Sequence, residues 1–380
     1  MINIGFDLTS LIYQRGVSRY TTNLVRAIAQ QPNVSCSYYA STWRQKRLLT
    51  KLIDQNLPVA QQEIIQDYPV SLLGKIWQLG FNPVSKLLPQ INIFHAWEWQ
   101  LPPDKNLPLI VTIHDLAMLH FPKAAHPEIL AKHQQSWRRI ADSGAHIIAV
   151  SQATKTDVIN LLKIPLYRIH VVHEALPTEL FNLTRQMSEQ QLEKIKARLQ
   201  PSGKPYLFFV GTREPRKNLH RLIEAWQPLA KEFDLLIAGQ AGWDQVEKQA
   251  WTSQPRFLGQ VTDQELSVLY TEAAAFVYPS LYEGFGLPIL EAFHHGTPVV
   301  TSNSSAMIEV AGNAAELVEP ESVESIRAGM QKILNESPRD QAVRMQRMII
   351  RLQMFDWQTT AQQTILAYQA CINDYTQRRQ

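Results

Sequence analysis

The stretch from Phe276 to Val300, FVYPSLYEGFGLPILEAFHHGTPVV, leaves a chain little choice of local fold. An apolar run from Ala273 to Tyr278 is long enough for a buried strand and stops at Pro279-Ser280. A loop carrying Gly284 and Gly286 follows, and Pro288 suits the first helical position, where its missing N–H costs nothing. Ile289, Leu290 and Phe293 continue as a buried helix face. Gly296-Thr297-Pro298 then ends the helix before a strand at Val299-Val300. The free backbone N–H groups around Gly284, Phe285, Gly286 and Leu287 gather at the positive end of the helix dipole, which makes a ready anion site.

Two carboxylates flank this site, Glu283 before the glycines and Glu291 eight positions later on the helix. A carboxylate repels a phosphate, so it is better suited to accept hydrogen bonds from the hydroxyls of a ribose or a sugar. The competing reading is an acidic residue near a helix N-terminus, stabilised by the dipole alone.

With 380 residues the chain is too long for one compact core and suits two domains. Its apolar content of 45% is that of a globular protein. The net charge of +3 provides no basic stripe for nucleic acid. Cys36 and Cys371 lack metal-ligand spacing and favour a reducing compartment. Met1 to Phe6 reads as a first strand with no basic region or cleavage site before it, and no apolar run approaches the ~20 residues of a membrane span. A cytoplasmic protein is the expectation.

Further buried-strand candidates are Ile2 to Phe6, Ile91 to His95, Leu109 to Asp115, His146 to Ser151 and Ile169 to His173 in the first half. In the second half they are Tyr206 to Val210, Asp234 to Gly239 and Arg256 to Gly259. Strands alternate with helical patterns such as Tyr20 to Ala29 and Pro127 to Ala141, and residues 182–203 read as a polar, helical linker. His95 and His114 fall at carboxyl ends of strands, where open α/β sheets place ligands, although such histidines are also often satisfied core residues. After Val210, the loop GTREPRKN carries Arg213, Arg216 and Lys217 beside a glycine and a helix start, as neutralising a diphosphate requires. Gly239 and Val261 also stand at strand ends, with the segments around them placed to receive a base.

Trp43 to Asp54 differs in kind. Leu48, Leu49, Leu52 and Ile53 recur at helical spacing among Arg44, Lys46, Arg47 and Lys51. This is either a basic amphipathic helix for an anionic membrane, seconded by Leu72 to Leu88, or the core face of a surface helix with a solvated rim.

The segment E-G-F-G-L-P-I-L-E resembles the Glu-x7-Glu motif of retaining glycosyltransferases of family 4, and the resemblance extends over most of the chain. G-V-S-R-Y, H-A-W-E-W-Q-L-P, T-I-H-D-L, A-V-S-Q-A-T and V-G-T-R-E-P-R-K-N-L are each similar to segments of that family. The resemblance implies the GT-B fold, two Rossmann-like α/β domains with parallel sheets facing a central cleft. Residues 1–185 would form the acceptor-side domain, joined by a C-terminal helix over 356–380, and 186–355 the nucleotide-sugar domain. It further implies that His114 orients the transferred sugar and its phosphate, Glu283 holds sugar hydroxyls and Glu291 the ribose. Gly16, Thr212, Arg213, Arg216, Lys217, Gly239, Val261, Gly284, Phe285, Gly286 and Leu287 would contact the donor, with Lys217 at the diphosphate. His95 would lie on the acceptor side. Three departures stand out. Thr212 occupies a place where some members carry arginine, Glu174-Ala175-Leu176 replaces Gly-Val-Asp, and Met307-Ile308-Glu309 replaces Leu-Pro-Glu.

The chain has no G-x-G-x-x-G after its first strand, no Walker loop and no Asp-x-Asp pair. No cofactor or metal is therefore expected, and the leaving diphosphate falls to Lys217, an arginine and the helix after Gly286. The reading is a retaining hexosyltransferase of the mannosyltransferase-like branch. Its donor would be GDP-mannose or, second, a UDP-sugar, and its acceptor a glycan or lipid-linked hydroxyl, with work at the inner membrane face. A nucleotide-sugar epimerase of similar fold, which needs no acceptor, is the alternative.

Overall fold

The computed structural model describes every residue except Arg15, Ala125, His126, Asn182, Pro201, Gln245, Glu247 and Lys248, and only the backbone of Ala124 and Arg185. The chain divides into two compact units, Met1–Pro177 with Asp356–Gln380, and Thr178–Phe355.

The first unit is built on seven parallel strands: β1 Ile2–Asp7, β2 Val34–Ser41, β3 Glu63–Gln66, β4 Ile93–Ala96, β5 Leu109–Ile113, β6 His146–Ala149 and β7 Ile169–Val171. They are ordered β3-β2-β1-β4-β5-β6-β7. The sequence does not announce β2 and β3. In β2, VSCSYYAS interrupts every apolar run with serine, yet Ser37 and Ser41 are fully buried. Their hydroxyls are satisfied by Asn3 Oδ1 at 3.1 Å and the Tyr68 carbonyl at 2.9 Å, so small polar residues fill the interior at little cost.

The second unit has six parallel strands: β8 Tyr206–Val210, β9 Asp234–Ala238, β10 Arg256–Gly259, β11 Ala275–Tyr278, β12 Val299–Ser302 and β13 Glu316–Val318. Their order is β10-β9-β8-β11-β12-β13. In both units the order turns back beside the first strand, so the loops following β1 and β4, and those following β8 and β11, flank topological switch points. The polar stretch 182–203, whose Asn182 and Pro201 lie outside the described residues, holds a helix Glu189–Leu199 opened by a Ser188/Gln191 capping box.

Helix Lys46–Asn56 settles the two readings of the basic stripe. Leu49 and Ile53 are buried in the core of the first unit, Leu52 packs against it and Leu48 is half-buried. Arg44, Lys46, Arg47 and Lys51 remain exposed. The apolar stripe is therefore a core face with a basic rim, not an outward membrane face, because β2 and the helix Gly16–Ala29 leave a hydrophobic surface that it covers. The stretch Val70–Gln78 buries Leu73 and Trp77 but leaves Leu72, and beyond it Leu79 and Phe81, exposed. Among the described residues no helix is long and apolar enough to cross a membrane. Cys36 and Cys371 are buried and free.

The C-terminal helix Trp357–Gln377 is capped by Asp356, which accepts from the Thr359 N–H at 2.9 Å, and it packs Ala361, Ala367, Tyr368 and Cys371 into the core of the first unit. Trp357 Nε1 donates to the Leu176 carbonyl and Thr360 Oγ1 to that of His173, which ties the helix to the strand end after β7.

Candidate active site

In the second unit the loop after β8 brings its charges to the end of β11. A short turn over Pro215–Lys217 ends at Asn218 in the left-handed conformation (φ 61°), and the Asn218 amide donates to the carbonyls of Pro279 and Pro320. This fastening turns Lys217 inward. Its ammonium donates to Glu283 Oε1 at 2.7 Å and to the Tyr278 hydroxyl, which itself donates to Glu283 Oε1 at 2.9 Å. Arg216 Nη1 donates to the other carboxylate oxygen, Glu283 Oε2, at 2.8 Å, while its Nε donates to Glu214 at 2.9 Å. Lys217 and Glu283 are both 7% exposed. Burial alone would raise the Glu283 pKa, but the two cations outweigh it and hold the carboxyl at about 2. Burial lowers the Lys217 ammonium, opposed by Glu283 and reinforced by Arg216. Arg213 lies elsewhere, buried with its guanidinium 5.2 Å from the Phe257 ring centre. Of the two arginines, Arg216 is the one that joins Lys217.

Gly284, Phe285 and Gly286 follow Glu283 as a buried loop, and Gly286 (φ 113°) opens the helix Leu287–His294. Pro288 is the second residue of that helix rather than the first, because Gly286 in its left-handed conformation supplies the cap. Ser305, also at positive φ (55°), holds the loop from the other side: its hydroxyl accepts from the Glu283 N–H at 3.1 Å and donates to the Glu283 carbonyl. Met307-Ile308-Glu309 lies within the helix Ser305–Ala311, with Met307 fully buried. One turn into its own helix, the half-buried Glu291 accepts from the Tyr270 hydroxyl at 2.8 Å. Tyr270 stacks on His295.

Gly239, expected near a base, and Gly242 shortly after it have a packing reason to be glycine. A Cβ on Gly239 would stand 2.0 Å from the Gly211 carbonyl oxygen, and one on Gly242 2.1 Å from that of Arg213. Thr212 lies half-buried on this same loop, and Val261 is half-buried just beyond β10.

In the first unit His114 follows β5. Its Nδ1 is 2.7 Å from Glu174 Oε1, and its backbone N–H donates to Glu98 Oε2 at 3.2 Å. The Tyr20 ring meets the imidazole edge-on at 4.8 Å. Glu98 and Glu174 are buried. Burial pushes Glu98 up to about 7, with Asp115 adding to it against His114. Burial would lower His114, but Glu174, Glu98 and Asp115 together raise it above its usual value. Phe6, Asp7, Tyr20, Trp97, Glu98 and His114 line a small pocket here.

His95 lines the same pocket, but its ring nitrogens are already engaged. It lies within β4, with Nδ1 2.8 Å from the Tyr368 hydroxyl and Nε2 2.8 Å from Thr112 Oγ1. Burial pushes its pKa down to about 3, so it is a neutral core histidine with no ring nitrogen left for an acceptor. Gly16 is the exposed first residue of the helix Gly16–Ala29, and a Cβ there would meet nothing within 4 Å. The sequence did not single out Tyr278, Tyr270, Ser305 or Glu98. Glu174 was visible only as a departure from a pattern.

Residues 14–180 match the family description Glycosyltransferase Family 4, and residues 190–348 match Glycosyl transferases group 1. The O-antigen chain mannosyltransferase B of Escherichia coli is 33% identical over 288 residues, 73% of this chain and 74% of that protein. Among solved structures, a glycosyltransferase from Rickettsia africae ESF-5 superposes with a TM-score of 0.71 at 16% identity, covering 98% of each chain. HepE from Anabaena, solved in complex with UDP and glucose, gives 0.70 at 17% identity over 97% of this chain and 100% of that one. At such identities the two structures show the fold, the GT-B fold of two parallel-sheet α/β domains. With both halves matched and a mannosyltransferase relative spanning nearly three quarters of its length, the chain belongs to the group 1 glycosyltransferases of family 4.

Proposed function

We propose that the protein transfers a hexose from a nucleotide-sugar to a hydroxyl of a glycan, glycolipid or other acceptor, with retention of configuration and without a metal ion. The observation that carries this reading is the pairing of the buried Lys217 and Glu283 with the half-buried Arg216 beside the Gly284–Gly286 loop. An ammonium has three donors, and two of those on Lys217 are spent on Tyr278 and Glu283, so one remains for a diphosphate oxygen. Arg216 and the N–H groups opening the helix Leu287–His294 add to that charge, a preorganised stabilisation of the leaving group. Glu283, held ionised, accepts from hydroxyls of the sugar, and Glu291 from the ribose.

In the step itself the bond between the anomeric carbon and the diphosphate oxygen breaks, and its electron pair leaves with the nucleoside diphosphate. The acceptor oxygen bonds to the same face of that carbon, and its proton passes to the departing phosphate oxygen. GDP-mannose is the first donor, supported by the mannosyltransferase relative, and a UDP-sugar is the second. A panel of nucleotide-sugars tests this by thermal shift and by release of nucleoside diphosphate. At 100 times its Kd the true donor stabilises by about 2.7 kcal/mol. Release of free epimerised sugar without an acceptor would favour the epimerase instead.

Work at the inner face of a membrane belongs to the same proposal. With the leucine stripe of Lys46–Asn56 turned inward, its support is the exposed basic rim and the exposed Leu72, Leu79 and Phe81 beside Lys75 and Lys86. Each exposed cation near an anionic surface contributes roughly 1 kcal/mol. Co-sedimentation with anionic vesicles at low salt tests it: binding that weakens with salt and with Leu79→Ser and Phe81→Ser supports the contact, and wild-type protein left in the supernatant removes it.

A further inference from the structure

We infer that Glu174 is a positioning residue for His114, which it holds through Nδ1 so that the opposite ring nitrogen, Nε2, is presented as a hydrogen-bond donor to the group being transferred. The inference rests on the proposed transfer reaction, and it deepens it by assigning a role to a residue that the family resemblance leaves without one.

Three observations support it. First, Glu174 is itself 5% exposed and spends Oε1 on the imidazole at 2.7 Å, within the range of a charge-assisted bond. A buried carboxylate with so short a contact to Nδ1 requires a proton between the two atoms, which fixes Nδ1 as the donor. Second, the ring is held on every other side. Its backbone N–H is bonded to Glu98, its carbonyl accepts from Thr154 Oγ1 at 3.4 Å, and Tyr20 abuts its plane. Nε2 has no partner among the described residues. Third, the charge around the ring has one sign. The titratable groups that face it are Glu174 from the segment after β7, Glu98 from that after β4, Asp115 beside it, Tyr20 from the helix Gly16–Ala29 and His95 from β4. Asp7 lines the same pocket. His95 is neutral, so among the described residues no cation opposes a charged imidazole.

These carboxylates favour the imidazolium, in which both nitrogens carry protons and Nε2 can only donate. A neutral ring bonded through Nδ1–H would instead offer Nε2 as an acceptor, of no use to an anionic phosphate oxygen. Glu174 thus sets the direction of the hydrogen bond as well as the angle of the ring, as a buried acid orients an imidazole in other catalytic sites.

The test joins Glu174→Gln and Glu174→Asp with two readouts. The glutamine keeps the shape and can still accept from Nδ1–H, but it removes the charge, so the ring loses its Nε2 proton at lower pH than in the wild type. The expected result is a fall in kcat of about 10²-fold at neutral pH, as for loss of one preorganised donor, with little change in KM for the donor. Activity should recover as pH is lowered from about 8 to about 5, because acid restores the imidazolium. Glu174→Asp should retain the basic limb of the wild-type profile. Independently, nitrogen NMR of the His114 ring in the donor-free protein should show both nitrogens protonated up to a higher pH in the wild type than in Glu174→Gln. A wild-type ring that loses its second proton at no higher pH than in Glu174→Gln, or an activity loss in Glu174→Gln that is uniform across pH, would overturn the inference. The NMR readout needs no donor, so a failure to transfer any sugar would sink the proposed reaction and leave this claim to be decided separately.

Discussion

Glu283 is the side chain on which the second unit's chemistry and its acid stability meet. Its folded pKa of about 2 lies below the ordinary 4.5, so its pairing stabilises the fold above 4.5, and this contribution is lost as pH falls through the window from 4.5 to about 2. Acid unfolding followed in that window should be shallower for Glu283→Gln than for the wild type, and identical slopes would contradict the pairing. Lys217→Ala should lower turnover by ~10²-fold or more, as removal of one preorganised donor does, while EDTA leaves the wild type unaffected. Strict dependence on Mg²⁺ or Mn²⁺ would count against that account. The two carboxylates should also separate: Glu291→Ala weakens binding of free nucleoside diphosphate, whereas Glu283→Gln spares it and damages transfer. Equal loss of nucleotide affinity in both would contradict the division of roles. Lys217, Glu283 and Glu291 stood out as candidates because glycines, strand ends and cations stand close to them in the sequence. Ser305, Tyr278 and Glu174 did not, since their meaning lies in hydrogen bonds that reach residues 22, 61 and 60 positions away. The engagement of His95 was hidden for a related reason: its partner Tyr368 lies 273 positions distant.

Among the elements, the glycine loops carry a further expectation. Gly239→Ala would drive a Cβ to 2.0 Å from the Gly211 carbonyl oxygen at a φ of 125°, so the loops after β8 and β9 must part. Strain of this kind costs of order 1–3 kcal/mol, and the melting temperature should fall accordingly. Gly16→Ala, with open space at its Cβ, should leave stability unchanged, so any kinetic effect there reports contact with a ligand. A Gly239→Ala variant as stable as wild type would mean that the loops are not packed as described. Apolar strands such as Leu109–Ile113 and Tyr206–Val210 could be read from their runs of buried residues. Strand Val34–Ser41 could not, because Ser37 and Ser41 are tolerated inside only through partners supplied by Asn3 and Tyr68. Helix Lys46–Asn56 was legible as a helix, but its period could not say which solvent its apolar face meets.

For the molecule as a whole, two Rossmann-like units, a last helix that returns to the core of the first and a family likeness over both halves agree with one another. The sequence carried that organisation because strand and helix alternate twice over, with a polar helical stretch in between. What neither the alternation nor the fold determines is which sugar moves and on which face it is attacked, since one fold hosts many donors. The most direct measurement is product NMR after incubation with GDP-mannose, a panel of mannose-terminated oligosaccharides and excess EDTA. The account predicts GDP released in step with a new α-mannosidic linkage, the configuration of the donor, with no loss of rate to the chelator. A β-linked product, or transfer that ceases in EDTA and returns with Mg²⁺ or Mn²⁺, would contradict it.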